Sequence, residues 1–213
     1  MREFKAKGKN QAEYIRAIYD NDMVFCIGPA GSGKTACAIG TAINLFEQKI
    51  CPKIILARPT VLADEGDSLG FLPGDVEHKM APFLRPMYDE LNTYYDKNTL
   101  KKMIENEDIE ITPLQYLRGR TFHNTVVILD EAQNATYKQL KMITTRLGRS
   151  SKMIINGDVD QHDRRGVSDL NIWFDEIIVK VPGIGRCKLE REDIVRHKLV
   201  SAIVGVTDEY EGK

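Results

Sequence analysis

The stretch Met23-Val-Phe-Cys-Ile-Gly-Pro-Ala-Gly-Ser-Gly-Lys-Thr35 decides how this chain is read. Met23 to Ile27 is continuously apolar, as a strand covered on both faces should be. The residues that follow, Gly28-Pro29-Ala30-Gly31-Ser32-Gly33-Lys34-Thr35, fit the phosphate-loop pattern G-x-x-x-x-G-K-[ST]. Main-chain N–H groups in such a turn close around phosphate oxygens, and the helix after it adds its positive end. Lys34 is then placed to reach the β- and γ-phosphates, and the Thr35 hydroxyl to ligate Mg²⁺. The amphipathic segment from Thr35 to Gln48 supplies the required helix.

Outward from the loop, apolar runs alternate with segments of helical period. Helices are expected near Asn10–Asp20, Gly33–Phe46, Val76–Tyr94 and Lys97–Asn106, then at Thr136–Leu147, Val167–Ile178 and Asp193–Val206. Strands are expected at Lys53–Ala57, Ile109–Thr112, Thr125–Leu129, Lys152–Asn156 and Cys187–Leu189, and a long loop from Thr60 to Asp75. Such alternation predicts an α/β fold, a single domain with a mostly parallel central sheet flanked by helices. The 213 residues suffice for one such domain and are too few for two complete RecA-like units. The domain is expected to occupy the whole chain, with a core from about residue 10 to 205 and short flexible termini.

The net charge of −1 leaves no bulk basic character, so any nucleic-acid site must be a local patch. No apolar run approaches the ~20 residues that span a bilayer, and Met1–Asn10 has no signal-like segment. The four cysteines show no C-x-x-C pairing, which predicts buried, reduced thiols and a cytoplasmic protein.

Asp130-Glu131 ends the strongest buried strand after the loop. Ligands of open α/β sheets sit beyond the carboxyl ends of strands, which places this pair near the metal and the terminal phosphate. Asp130 is the expected Mg²⁺ partner and Glu131 the group that orients or deprotonates water. The alternative is that both carboxylates only open a helix running from Ala132 to Leu147. After the next strand, Gly157-Asp158-Val159-Asp160-Gln161 offers Gln161 as a sensor of the γ-phosphate, or else an ordinary turn. A single such domain leaves its nucleotide open on one side. The charge-stabilising arginine is then expected from a neighbouring copy, with Arg196 favoured over Arg58 and Arg146. The base-reading pattern [NT]-K-x-D of GTPases does not occur, which favours ATP.

Several stretches together resemble the PhoH family of ATPases. They are Gly28 to Thr35, Ala57-Arg-Pro-Thr-Val61, Leu69-Gly-Phe-Leu-Pro-Gly-Asp75 and Pro82-Phe-Leu-Arg-Pro-Met-Tyr88. Pro113-Leu-Gln-Tyr-Leu-Arg-Gly-Arg-Thr121, Ile128-Leu-Asp-Glu-Ala-Gln-Asn134, Lys152 to Gln161 and Asp193-Ile-Val-Arg-His197 complete the set. The resemblance implies a RecA-like core related to superfamily 1 helicases, ATP hydrolysis with Mg²⁺, a hexameric ring, and work on RNA. It also implies that Gln11 contacts adenine; the alternative is a solvated helix position. The chain departs from the family pattern in a longer segment between Pro59 and Leu69 and in the basic pair Arg164-Arg165. At this length no added nuclease or RNA-binding domain is expected, and the resemblance implies a compact form of the kind that also occurs in phages.

Arg58, Arg85, Arg118 and Arg120 lie in or beside expected loops, and on one face they could track a single strand of RNA or DNA, with Tyr88 and Tyr116 as stacking surfaces. Lys79, Arg164 and Arg165 extend the same set. Scattered basic residues on a neutral protein also serve solubility alone. The functional readings are therefore three: a nucleic-acid motor, a switch acting on a protein partner, and a small-molecule kinase. Glu131 argues against the last, because a water-activating carboxylate would waste ATP.

Overall fold

The computed structural model describes residues 4–59, 84–158, 168–194 and 206. Apolar runs form the inner strands β1 (Met23–Ile27), β2 (Lys53–Arg58), β4 (Thr125–Leu129) and β5 (Lys152–Gly157), while the edge strands β3 (Ile109–Pro113) and β6 (Ile184–Lys188) mix apolar with polar residues. They make one six-stranded sheet in the order β3-β2-β4-β5-β1-β6, with every pair parallel. The helices are α1 (Lys9–Asp20), α2 (Lys34–Glu47), α3 (84–91), α4 (Lys97–Glu105), α5 (Tyr137–Thr144) and α6 (Asp169–Ile172). The backbone of α6 widens to π geometry over Trp173–Ile177 and tightens over Ile178–Lys180, where one regular helix is expected. Among the described residues no helix is long and apolar enough to cross a membrane.

Strand residues alternate between two cores, because successive side chains point to opposite faces. Val24, Cys26, Ile54, Leu56, Val126, Ile128 and Ile154 pack under α1–α4 with Tyr14, Ile18, Ile39, Ile43, Met87, Leu91 and Leu100. Met23, Phe25, Ile55, Val127, Leu129, Met153 and Ile155 face Leu140, Ile143, Leu170, Trp173 and Phe174 on the other side. Trp173 stacks on Phe25 with ring centroids 6.2 Å apart, which fixes α6 against β1. Burial at both faces explains why these strands read as unbroken apolar runs.

Element ends differ from expectation where side-chain chemistry outweighs periodicity. The helix expected over Thr136–Leu147 ends at Thr144, and Ala132–Asn134 is a separate 3₁₀ turn. Thr136 interrupts them: its hydroxyl accepts from Gln139 N–H while the Gln139 side chain accepts from Thr136 N–H, a reciprocal cap that starts a new helix. The acidic pair therefore does not open a long helix. Strand β6 begins at Ile184, earlier than the expected Cys187. The helix expected after Asp193 begins as a 3₁₀ turn at Arg191–Asp193 and then passes outside the described residues, as does the Thr60–Asp75 loop. Cys26, Cys37 and Cys51 are buried free thiols and Cys187 is half-buried. Burial pushes Cys37 up to about 12 and Cys187 to about 11, so neither is poised as a nucleophile.

On the edge strand β3, Glu110 takes both terminal nitrogens of Arg120, at 2.5 and 2.8 Å. This pairing holds the Glu110 carboxyl below its usual 4.5, Arg120 being the leading cause. A depressed carboxyl contributes stability above its unfolded pKa and loses it as pH falls through the folded one. Both groups are partly exposed, so the pair is worth only about 0.5–1 kcal/mol. Urea denaturation should find Arg120→Ala less stable by that margin at pH 7, with the gap closing as pH falls below 4.5. A gap independent of pH would mean that Arg120 stabilises through packing on Phe122, 5.5 Å from its guanidinium, and not through charge.

Candidate functional site

Strand β1 ends at Ile27, and the backbone there has no room for a side chain. A Cβ on Gly28 would stand 2.6 Å from the Leu189 carbonyl oxygen, while Gly28 N–H reaches Gly157 O at 3.2 Å. Gly31 and Gly33 then take left-handed backbone, φ 81° and 90°, which favours glycine. The loop is braced from within by Ser32, whose hydroxyl donates to Pro29 O at 2.8 Å. From behind it is braced by Gln11, which is 3% exposed and donates from Nε2 to Ser32 O at 2.8 Å. Its Oε1 accepts from Lys7 N–H at 2.9 Å, so Gln11 is no solvated helix position. The side chain of Lys34 folds back over the loop and donates to Gly28 O and Pro29 O at 2.6 and 2.9 Å. No acidic residue of α2 itself occupies its first turn.

At the end of β4, Asp130 is 2% exposed and continues the sheet through its N–H to Ala57 O, 2.9 Å. Its Oδ1 accepts from the Thr35 hydroxyl at 2.9 Å. Its Oδ2 accepts from Arg58 Nη2 at 2.6 Å and Nε at 3.2 Å. Arg58 also lies 3.6 Å from Glu131 Oε1. Glu131 itself takes left-handed backbone, φ 55° and ψ 38°, which few non-glycine residues adopt. That turn swings its carboxylate toward the cleft, where Gln133 Nε2 donates to Oε2 at 2.6 Å. Gln133 Oε1 in turn accepts Asp158 N–H at 2.9 Å, and the Ser168 hydroxyl donates to its carbonyl at 3.2 Å. Gln133 thus ties the end of β4 to the end of β5 and to the start of α6.

These groups enclose a cleft of about 290 Å³ at the carboxyl ends of β1, β4 and β5. Lys34, Thr35, Asp130, Glu131, Asp158 and Glu90 all line it. The oxygens of Thr35 and Asp130 are hard donors too few to cage an ion alone. That matches Mg²⁺, which binds through one or two protein ligands together with substrate phosphates and water. Among the described residues no group of three or more acidic, His or Cys side chains is placed to hold a metal.

The structure brings the loop, Lys34, Thr35, Asp130 and Glu131 to one cleft, with Gln11 behind the loop. Gln161 and Arg196 lie outside the described residues. Of the arginines expected on nucleic acid, Arg85 and Arg118 are exposed. Arg58 and Arg120 are not a free basic surface: one is bound to Asp130 and the other to Glu110. Arg146 closes the opposite end of the sheet, where its carbonyl accepts Phe122 N–H just ahead of β4. Tyr88 packs on the core, and Tyr116 is 55% exposed. Sequence reasoning missed Gln133 and Glu90. The first lies within the quoted Ile128–Asn134 stretch, two residues past Glu131; the second has no local signal.

Replacing Gln133 by Ala removes the acceptor of the buried Asp158 N–H and the donor to Glu131. Such losses cost about 1–3 kcal/mol. Urea denaturation of Gln133→Ala should show that loss, with faster hydrogen exchange at the Asp158 amide. Unchanged exchange there would mean that the β4–β5 tie is carried by other contacts.

Residues 3–208 match the PhoH-like protein family. The chain is 45% identical over 208 residues to a PhoH-like protein of Synechocystis and 46% identical over 208 to one of Bacillus subtilis. Those alignments cover 97% of this chain and 63% and 65% of the relatives. It is 40% identical to protein PhoH of Escherichia coli over 201 residues, 91% of this chain and 55% of that protein. The chain thus spans somewhat under two thirds of the length of these relatives. Among solved structures, the large terminase of a thermophilic bacteriophage superposes with a TM-score of 0.53 at 13% identity, over 94% of this chain and 50% of the terminase. That likeness concerns the fold alone, a RecA-like parallel sheet flanked by helices. Phosphate loop, acidic strand end and family match agree, and the chain belongs to the PhoH-like protein family.

Proposed function

We propose that this chain hydrolyses ATP with Mg²⁺ and that, assembled as a ring of identical subunits, it acts on single-stranded nucleic acid, with RNA favoured over DNA. The observation that carries the hydrolytic part is the joining of Thr35 to Asp130 at 2.9 Å with Glu131 held beside them by Gln133. When bound, Mg²⁺ would neutralise charge on the β- and γ-phosphate oxygens, held by Thr35 and Asp130. Lys34 exchanges the carbonyls of Gly28 and Pro29 for phosphate oxygens, a short movement for an ammonium already over the loop. Glu131 orients a water and accepts its proton as the water oxygen bonds to the γ-phosphorus and ADP leaves. Arg58, within reach of both carboxylates, offsets the repulsion between them.

In this reading Gln161 senses the γ-phosphate and Arg196 enters the site of a neighbouring subunit, where such an arginine is worth about 10³–10⁵ in rate. Adenine contact by Gln11 requires its amide to leave Ser32 or Lys7, so the present geometry supports first a bracing role for it. A second reading, a switch acting on a protein partner, draws support from the arginines. With Arg58 and Arg120 in ion pairs, the proposed nucleic-acid face rests, among the described residues, on Arg85 and Arg118; Lys79, Arg164 and Arg165 lie outside those residues.

Steady-state ATP hydrolysis with and without single-stranded RNA tests both readings, with Lys34→Ala as the blank. The expected result is Lys34-dependent turnover raised several-fold by RNA, and a loss of about 10²–10⁴ in kcat for Glu131→Gln with ATP still bound. Lys34-dependent turnover indifferent to RNA and DNA would favour the protein-partner switch. Turnover unaffected by Glu131→Gln would remove that residue as the base.

A further inference from the structure

Glu90, on α3, lines the same cleft as the phosphate loop, yet neither the metal chemistry nor the attack on phosphorus calls for a third carboxylate. Its surroundings set it apart from the acidic pair. Asp130 and Glu131 are held by Thr35, Arg58 and Gln133. The electrostatic neighbours of Glu90 are instead Lys7 and Cys37. Lys7 is the residue whose N–H meets Gln11 behind the loop, so Glu90 belongs to the Lys7–Gln11 flank. Thr93 satisfies the Glu90 main-chain carbonyl at 2.8 Å, and among the described residues no side chain donates to the carboxylate.

A nucleotide whose terminal phosphate lies between Lys34 and Glu131 runs back along the loop toward the first turn of α2. Ala36, one residue beyond the metal-side Thr35, lines the cleft there together with Glu90. An ionised carboxylate can only accept hydrogen bonds and repels phosphate oxygens. The part of the ligand that suits Glu90 is therefore neutral and carries donors. The sugar comes directly after the α-phosphate and offers two vicinal hydroxyls; the base lies a further bond away. We propose that Glu90 accepts a hydrogen bond from the ribose hydroxyls of the bound nucleotide and so makes the site selective for ribonucleotides. This rests on the nucleotide reading of the cleft and adds the sugar specificity to it. Partial burial already pushes the Glu90 carboxyl up, with Lys7 opposing, which is the state of an acceptor short of donors.

Titration calorimetry with ADP, 2′-deoxy-ADP and 2′,3′-dideoxy-ADP avoids turnover and reads the sugar directly. Wild type should bind ADP about tenfold more tightly than the dideoxy form, the discrimination expected of one charge-assisted hydrogen bond. Glu90→Ala should bind all three with the affinity that wild type shows for the dideoxy nucleotide. Glu90→Gln, which keeps the shape and a weaker acceptor, should fall between, and serves as the test if the alanine variant does not fold. If ADP binds in a Lys34-dependent way and both Glu90 variants keep the wild-type sugar preference, the proposal is overturned while the nucleotide reading stands. If ADP binds no better to wild type than to Lys34→Ala, the nucleotide reading falls and this proposal falls with it.

Discussion

The hydrogen bond from the Thr35 hydroxyl to Asp130 closes a gap that the sheet leaves open. Their strands, β1 and β4, are not neighbours; β5 runs between them. A sheet sets strands about 4.8 Å apart, so the ends of β1 and β4 stand about 10 Å from each other. That interval is wide enough to admit a phosphate and its counter-ion and narrow enough for one hydroxyl and one carboxylate to meet across it. Every other device in the site serves this span. Gln133 pins β4 to the end of β5, Gly28 hydrogen-bonds to Gly157, and Gln11 keeps the loop from tipping away.

Much of this could be read in the residues before any coordinates. The apolar runs of β1, β4 and β5 are buried on both faces and carry no competing signal, so periodicity and burial agree. The phosphate loop is legible because its chemistry depends on main-chain shape, and glycine is the residue that permits the shape. Helix ends were less legible: α5 begins, and the 3₁₀ turn before it stops, at a reciprocal cap of Thr136 and Gln139. The stretch around Trp173 is locally widened while one large ring seats against Phe25, a tertiary demand that no window of sequence contains. Glu90 was invisible for a related reason, since only the packing of α3 beside α2 brings it to the cleft.

The arginines show how far charge counting can mislead. In the sequence Arg58, Arg85, Arg118 and Arg120 look alike, each beside a loop. In the fold two of them are internal counter-ions, one to the buried Asp130 and one to Glu110 on an edge strand. An arginine bound in two places to a carboxylate is a rigid part of the scaffold, and removing it leaves a buried or half-buried charge behind. Arg58 in particular joins β2 to the chemistry, so the segment that leaves β2 begins at a residue already in contact with Asp130 and Glu131.

The left-handed backbone at Glu131 has a bearing on how such a domain ages under mutation. A glutamate there sits in a conformation that costs roughly 1–3 kcal/mol against glycine or asparagine, which adopt it at ease. If Glu131 is the base proposed above, stability and chemistry pull that position in opposite directions. A lineage freed from the need to turn over nucleotide gains by losing the carboxylate first, while the loop, the sheet and the cleft stay intact. Copies with a relaxed residue at 131 would be stable binders that hold nucleotide without spending it, reached in a single step from an active parent.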